Sequence, residues 1–380
     1  VKAGVVWFNT HNQFDAAAGF GGYKESGFGR EGGKEGLYEY VKKSWKRLGK
    51  EQVPQEVVDR SSSWGKSTSP PLPSPATSAP DGLNSALPSI DRTPKMYIGG
   101  SQKRPDGNYV LPVKTHDGKT LLGQVGAGNR KDVRDAVAAA NKAASGWGKR
   151  AAYNRSQILY YIAENLSIRQ EEFAKRIDLM TGCGAQAANA EVEESISRLF
   201  TYAAYADKYG GNVQETAFYG VTTSINEPCG VIGMVCETDS HPLLSFVSMI
   251  APAVVRGNAV VVAPSEKHPL AATDLYQVLD TSDLPGGVIN IVTGESAVIA
   301  KTLAEHQHVD SIWYFGSTEG CYNVQKLGAS NMKRTFVCAE DRDWMDKEEG
   351  EGDEFLRESS EVKNVWMPMG ESMSGAGAAY

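Results

Sequence analysis

The sequence predicts an α/β protein built on a doubly wound parallel sheet, and two observations carry that prediction. From Cys229 onward, short apolar runs (GVIGMVC, NAVVVA, GVINIV, VDSIWYF and TFVC) alternate with helical stretches of about ten residues. GVIGMVC is a continuous apolar run, as expected for a strand covered on both faces. Sheets of this kind place ligands at the carboxyl ends of their strands.

The elements follow in order. Residues 1–48 are rich in glycine and aromatic residues; AGVVWFN (Ala3–Asn9) reads as a strand and Lys34–Lys46 as a helix. Residues 49–93 are dominated by Ser, Pro, Thr and Ala. Such a composition buries too little apolar surface to offset the entropy of ordering, so a flexible linker is expected. Residues 94–342 are globular again. MYIGG, RPDGNYVLPV and HDGKTLLGQV read as strands joined by Asp-Gly turns. Lys131–Ser145 reads as a helix capped by Asn129, with Val133, Val137, Ala138 and Ala140 on one face. Two or three helices fill Ala151–Lys208, with Ile196, Leu199, Phe200 and Ala203 as a buried stripe. Helices are then expected over Pro242–Val255, Leu270–Leu279, Ser296–Glu305 and Glu319–Leu327, each between two of the apolar runs. Residues 343–380, with the acidic run DKEEGEGDE and the ending SMSGAGAAY, read as a poorly structured tail.

Bulk composition narrows the function. At 380 residues, two or three domains are expected. A net charge of -7 argues against a nucleic-acid partner, because phosphate binding needs a basic face. The five cysteines (Cys183, Cys229, Cys236, Cys321 and Cys338) are odd in number and spread out, which reads as reduced thiols in the cytoplasm. No His, Cys and carboxylate residues recur at metal-ligand spacing, so no metal is expected. The longest apolar stretch, Leu243–Val255, is short and interrupted by Ser245, Ser248 and Pro252. A buried helix is expected there, not a membrane span. The first residues already read as an internal strand with no initiator Met, so a fragment is expected.

Several phrases carry a resemblance. EPCGVIGMV (Glu227–Val235), APAVVRGNAVVVAPSEKHPLAA (Ala251–Ala272), LPGGVINIVTG (Leu284–Gly294) and FGSTEG (Phe315–Gly320) match, in order and spacing, the cofactor half of the aldehyde dehydrogenase family. Together they cover roughly Pro94–Arg342. AGVVWFN and FGGYKESGFGREGGKEGL (Phe20–Leu37) resemble the carboxyl-terminal end of the same family. A tail, a linker and a new head imply two units in tandem, an arrangement similar to the branch called aldehyde dehydrogenase family 16. The wording FDAAAG (Phe14–Gly19) also resembles that branch.

The resemblance implies a chemistry: a cysteine thiolate adds to an aldehyde, an amide holds the oxyanion, hydride leaves to NAD, and a glutamate activates water. Carried onto this chain, the amide position falls at Ser240 and the carboxylate position at Cys338, in TFVCAED. The nearest acid, Glu340, lies two residues on. The nucleophile segment has no counterpart, and no cysteine follows Cys338. Cys338 is expected to be a buried strand thiol, and Cys321, at a helix start, a packing residue. For the cofactor, the resemblance implies Glu266 against the adenosine ribose, Gly287 near the adenine, and Gly316 and Ser317 near the pyrophosphate. The family lysine near the ribose is Ala263 here, so NAD binding is expected to be weak.

Two functional readings follow. In one, the parent protein is an NAD-dependent aldehyde dehydrogenase that works through the upstream unit, the only route by which an aldehyde substrate would be engaged. In the other, which the missing thiol and acid favour for this stretch, the unit is a pseudoenzyme serving oligomerisation or partner binding. The resemblance further implies a homo-oligomer associating through sheet edges, with Lys2–Asn9 as one such element.

Overall fold

A computed structural model of the chain describes residues 1–41, 53–67, 72–73, 95–339 and 341–369. The chain opens with β1 (Val5–Trp7) and α1 (Gly33–Leu37). The helix expected over Lys34–Lys46 therefore ends early, and its second half lies outside the described residues.

Within the stretch expected to be a linker, 49–93, the structure has α2 (Gln55–Arg60) and the two-residue β2 (Leu72–Pro73). This corrects the expectation for residues 53–67, which are folded. Val57 and Trp64 are only 7% and 9% exposed, and Trp64 joins the main hydrophobic core. Composition misled here because it averages the segment, whereas one large ring in a covered slot can order a dozen polar neighbours. Burying about 150–250 Å² of indole at about 25 cal/mol/Å² contributes roughly 4–6 kcal/mol. The rest of 49–93, β2 apart, lies outside the described residues.

Next come β3 (Met96–Ile98), β4 (Ser101–Lys103), β5 (Tyr109–Lys114) and β6 (Leu121–Gly126), then a helical layer: α3 (Arg130–Gly148), α4 (Ala152–Ile168), α5 (Gln170–Thr181) and α6 (Ala185–Ala204). Asn129 caps α3 as expected. Its side chain accepts from the Lys131 and Asp132 N–H groups while Asp132 accepts from the Asn129 N–H. The buried face of α6 is Ala188, Val192, Ser195, Leu199, Tyr202 and Ala203. Phe200, expected in that stripe, is 39% exposed and lies 5.7 Å from Tyr160. One residue past Leu199 turns about 100° round the helix, enough to leave the buried face.

After β7 (Gly211–Gln214) and β8 (Gly220–Pro228) the expected rhythm appears. It runs β9 (Val231–Cys236), α7 (Pro242–Val255), β10 (Ala259–Ala263), α8 (Leu270–Asp274), α9 (Tyr276–Asp280), β11 (Ile289–Ile291), α10 (Ser296–Glu305), β12 (Ser311–Phe315), α11 (Thr318–Gly328) and β13 (Arg334–Cys338). The chain then forms α12 (Lys347–Gly350), α13 (Asp353–Glu358) and β14 (Ser360–Pro368). This corrects the expectation of a poorly structured tail over 343–380. Trp344, Phe355 and Leu356 are buried, while the acidic residues sit at helix starts, where Asp346 caps α12. Residues 370–380 lie outside the described set.

The chain divides into two units. One, built from 51–207 and 229–359, holds a seven-stranded sheet in the order β13-β12-β9-β10-β11-β3-β4. β9 to β13 pair in parallel, and β3 and β4 add an antiparallel edge. The strands progress from β9 outward to β11, then return to β12 on the other side of β9, so the order reverses between β9 and β12. One face carries α4, α6 and α7; the other carries α3, α10 and α11. β2, β5 and β6 form a small antiparallel sheet of their own. The other unit, built from 1–50, 208–228 and 360–380, holds the sheet β1-β14-β8-β7. There Val5–Trp7 is an edge strand that pairs in parallel with Asn364–Trp366. Buried Arg30 braces it, donating to the Val362 carbonyl at 2.6 Å.

Two positions yield tests. Gly287 has a left-handed backbone (φ 92°), and a Cβ there would meet the Ala139 carbonyl oxygen of α3 at 2.8 Å. Replacing it with Ala is expected to lower the unfolding free energy by about 1–3 kcal/mol, read by urea denaturation. Glu191 lies buried on α6 and accepts from the Leu243 and Leu244 N–H groups at 2.7 and 3.1 Å, capping α7. Burial raises its pKa from 4.5 to about 7, against the opposing pull of those two N–H groups. The folded chain therefore holds this proton more tightly than the unfolded one. The stability it gives is full below about 4.5 and is lost as pH rises through about 7. Glu191→Gln, which keeps an acceptor oxygen, is expected to remove most of that loss, roughly 3 kcal/mol at most, in melting curves from pH 5 to 8.

Candidate functional site at the strand carboxyl ends

The order reversal between β9 and β12 opens a crevice at the carboxyl ends of the parallel strands, where doubly wound sheets bind ligands. Register decides what stands there. Phe315 ends β12 and pairs with Cys236 of β9 on one side and Cys338 of β13 on the other. The Glu237 N–H donates to the Phe315 carbonyl at 2.8 Å, and the Gly316 N–H to the Cys338 carbonyl at 3.0 Å. The two cysteines thus sit at one level, about 10 Å apart across two strand spacings.

Neither thiol faces open space. Cys236 is buried, and desolvation pushes its thiol up to about 11. Cys338 is 7% exposed, consistent with the packing role expected for it. Cys321 is buried in the main core, so its place at a helix start serves packing as well. Among the described residues only Cys183, between α5 and α6, is an exposed thiol. Glu340, the nearest acid to the Cys338 position, lies outside the described residues. Ser240 is exposed in the loop before α7, its hydroxyl 3.1 Å from that of Thr238.

Past Phe315 the chain turns through Gly316 and Ser317 into α11. The Ser317 hydroxyl accepts from the Gly320 N–H at 3.2 Å. The Ser317 N–H donates to the Glu237 carboxylate at 3.2 Å, which stands over the turn so closely that a Cβ on Gly316 would meet it at 2.5 Å. Tyr314 completes the group: its hydroxyl is 3.2 Å from Ser317 Oγ, and burial first, then the Glu237 charge, holds its phenol far above the usual range. Glu237 and Tyr314 were not found from sequence. The signal for Glu237 was present, as a charge ending an otherwise apolar strand.

Glu266 stands just past β10, exposed, and its carboxylate accepts the Ser296 N–H at the start of α10 at 2.9 Å. It therefore meets the neighbouring helix start, while Gly316 and Ser317 meet Glu237. All three lie at the carboxyl ends of the strands. Gly287 does not: it precedes β11 and so lies at the opposite end of the sheet, against α3. The glycine serves a turn and a close helix approach there.

Trp64 is the other residue that sequence reasoning missed. Its ring lies 6.5 Å from that of Tyr314, edge to face. The next residue, Gly65, is tight against α10, where a Cβ would meet Lys301 Cδ at 2.7 Å and the Ala297 carbonyl at 2.9 Å. Ser67 Oγ donates to Glu295 at 2.7 Å, Lys326 to Ser61 Oγ at 3.1 Å, and Arg60 stands 3.9 Å from Glu319. The segment thus runs across α11 and α10 beside the crevice. The exposed ion pair adds at most about 1 kcal/mol, so the buried indole holds the segment.

These groups do not fit a dinucleotide as they stand. A diphosphate at the start of α11 would meet the Glu237 carboxylate and find the Ser317 and Gly320 N–H groups already engaged. Among the described residues, no cluster of His, Cys, Asp and Glu could hold a metal, and no helix is long and apolar enough to cross a membrane.

The model of the aldehyde dehydrogenase family matches residues 1–45 and 104–339. The betaine aldehyde dehydrogenase of Bacillus subtilis is 31% identical over 242 residues, 63% of this chain and 49% of that protein. Aldehyde dehydrogenase 1A1 of Equus caballus is 34% identical over 250 residues, covering 64% and 49%. The crystal structure of PnpE from Pseudomonas sp. WBC-3 matches with a TM-score of 0.62 at 28% identity, over 64% of this chain and 50% of that one. PnpE has also been solved in complex with nicotinamide adenine dinucleotide. The chain spans about half the length of the curated relatives it matches. On the family match, which takes in most of its residues, this chain belongs to the aldehyde dehydrogenase family.

Proposed function

We propose that the stretch from β3 to β14 is a non-catalytic aldehyde dehydrogenase unit that keeps the dinucleotide fold and binds NAD only weakly. One observation carries this reading. Where the resemblance puts the water-activating carboxylate, the strand ends in the buried thiol of Cys338, and within about twenty residues the chain has passed on to β14. That passage contains no cysteine. Acyl transfer needs a nucleophile, and among the described residues the cysteines at the strand ends, Cys236 and Cys338, are both buried. The kinship with a protein solved with NAD supports the fold's capacity for the cofactor. Glu237 over the Ser317 N–H supports weak affinity, because it puts a negative charge where a diphosphate would lie.

A second reading concerns the parent protein, and the family match over residues 1–45 favours it. In it, those residues end a first unit in the two-unit branch of the family, and that unit oxidises the aldehyde. The protein is then cytoplasmic and self-associating, with the unit after the linker serving assembly.

The full chain incubated with acetaldehyde and NAD is expected to form no NADH above the protein-free rate, followed by absorbance. Cys338→Ser is expected to leave that null rate unchanged. NADH formation that the substitution abolishes would overturn the non-catalytic assignment.

A further inference from the structure

The segment from Pro54 to Ser67 has no part in the chemistry of the family, yet it is seated on the two helices that flank the crevice. Its polar contacts fall on both: Arg60 and Ser61 reach Glu319 and Lys326 of α11, while Ser67 reaches Glu295 at the start of α10. The Lys301 ammonium also donates to the Trp64 carbonyl at 3.4 Å. Between these latches the indole goes inward. Its ring lies 6.5 Å from that of Tyr314 on β12, and it joins the core cluster to which Ile299 and Ala300 of α10 and Cys321 and Val324 of α11 also belong. A flat bicyclic aromatic ring is therefore buried between the two helices, next to the turn at Gly316 and Ser317.

An adenine is also a flat bicyclic aromatic ring, and its diphosphate would have to reach the start of α11, where anions are favoured. From that start the neighbouring apolar slot is the one the indole fills. The geometry points to an intrachain plug. Trp64 occupies the slot that the base of an adenine nucleotide would take, and the Pro54–Ser67 segment must leave before such a nucleotide can bind. This inference rests on the reading of the unit as a dinucleotide fold. It adds that the chain's own segment lowers the affinity further, beyond the effect of the Glu237 carboxylate. The left-handed backbone of Gly65 (φ 71°) gives the segment the close approach to α10 that seats the ring. The polar latches are mostly solvent-exposed, so withdrawal of the buried indole is the main cost of release.

The test is NAD titration by calorimetry of the full chain and of Trp64→Ala, with melting curves to show that the variant is folded. The plug predicts at least about tenfold tighter binding by Trp64→Ala, because a competing intrachain ligand lowers apparent affinity by the fraction of time it is out. In parallel, the wild-type chain carrying 5-fluorotryptophan, with the Trp64 resonance assigned from Trp64→Phe, is titrated with NAD. The Trp64 signal is expected to shift over the same concentrations as the heat. Equal binding by wild type and variant with an unmoved Trp64 resonance would overturn the plug and leave the dinucleotide fold standing. Failure of both proteins to bind NAD at tens of millimolar would overturn both. If Trp64→Ala does not fold, the fluorine titration decides alone.

Discussion

The register of β12 between β9 and β13 is the constraint on which the rest of the crevice depends. Pairing Phe315 with both Cys236 and Cys338 sets three strand ends level. It aims the Glu237 N–H at one carbonyl and the Gly316 N–H at another, and so places the Glu237 carboxylate over the start of α11. A slip of one residue would turn every side chain of β12 to the other face, which a strand buried on both sides cannot accept. The same register points the Phe315 ring toward the connection between β13 and β14. There Phe315, Phe336, Trp344 and Phe355 enclose the Arg342 guanidinium, which lies 5.1 Å from the Phe315 and Phe355 ring centres. Arg198 of α6 fixes the same connection, donating to the Gly350 and Trp344 carbonyls.

Two consequences meet at this end of the sheet. On the β13 side, an aromatic cluster and buried arginines cover the strands and lead directly to β14. On the β12 side, the groups that would greet an anion are satisfied within the chain: Ser317 by Glu237, Gly320 by the Ser317 hydroxyl, and the start of α10 by Glu266. Satisfying buried or half-buried donors internally stabilises the fold and reduces the gain from binding a ligand, since each bond to the ligand must first replace one already made. The fold of an aldehyde dehydrogenase is thus kept by packing, while the polar groups at its working end have been turned inward.

Much of this was legible in the sequence, and the reasons for the gaps are physical. The strands β9 and β10 were readable because full burial demands mostly apolar runs, and the regular alternation with helices located the others. α7 and α10 were readable to the residue because proline at the start of one and the flanking turns of both bound them. The carboxyl-end placement of Glu266, Gly316 and Ser317 followed from the same topology. What composition could not show was a single anchoring ring: Trp64 orders residues that otherwise read as linker. Likewise Trp344 and Phe355 order a segment whose acidic residues dominated the average. A glycine before a strand reads alike whether it admits a ligand or a helix, and only the structure shows the Ala139 carbonyl against Gly287. Glu237 was passed over because its partner, the Ser317 N–H, is eighty residues away and is brought close only by the pairing of β9 with β12.

The central claim is that the chain's own side chains close the crevice, so that Trp64 and a nucleotide base exclude each other. A crystal structure of the full chain grown with NAD at high concentration tests it most directly. The account predicts Trp64 between α10 and α11 with no dinucleotide along the strand ends, or a dinucleotide with Trp64 withdrawn. A map with an ordered dinucleotide across the start of α11 and Trp64 still seated beside Tyr314 would contradict it.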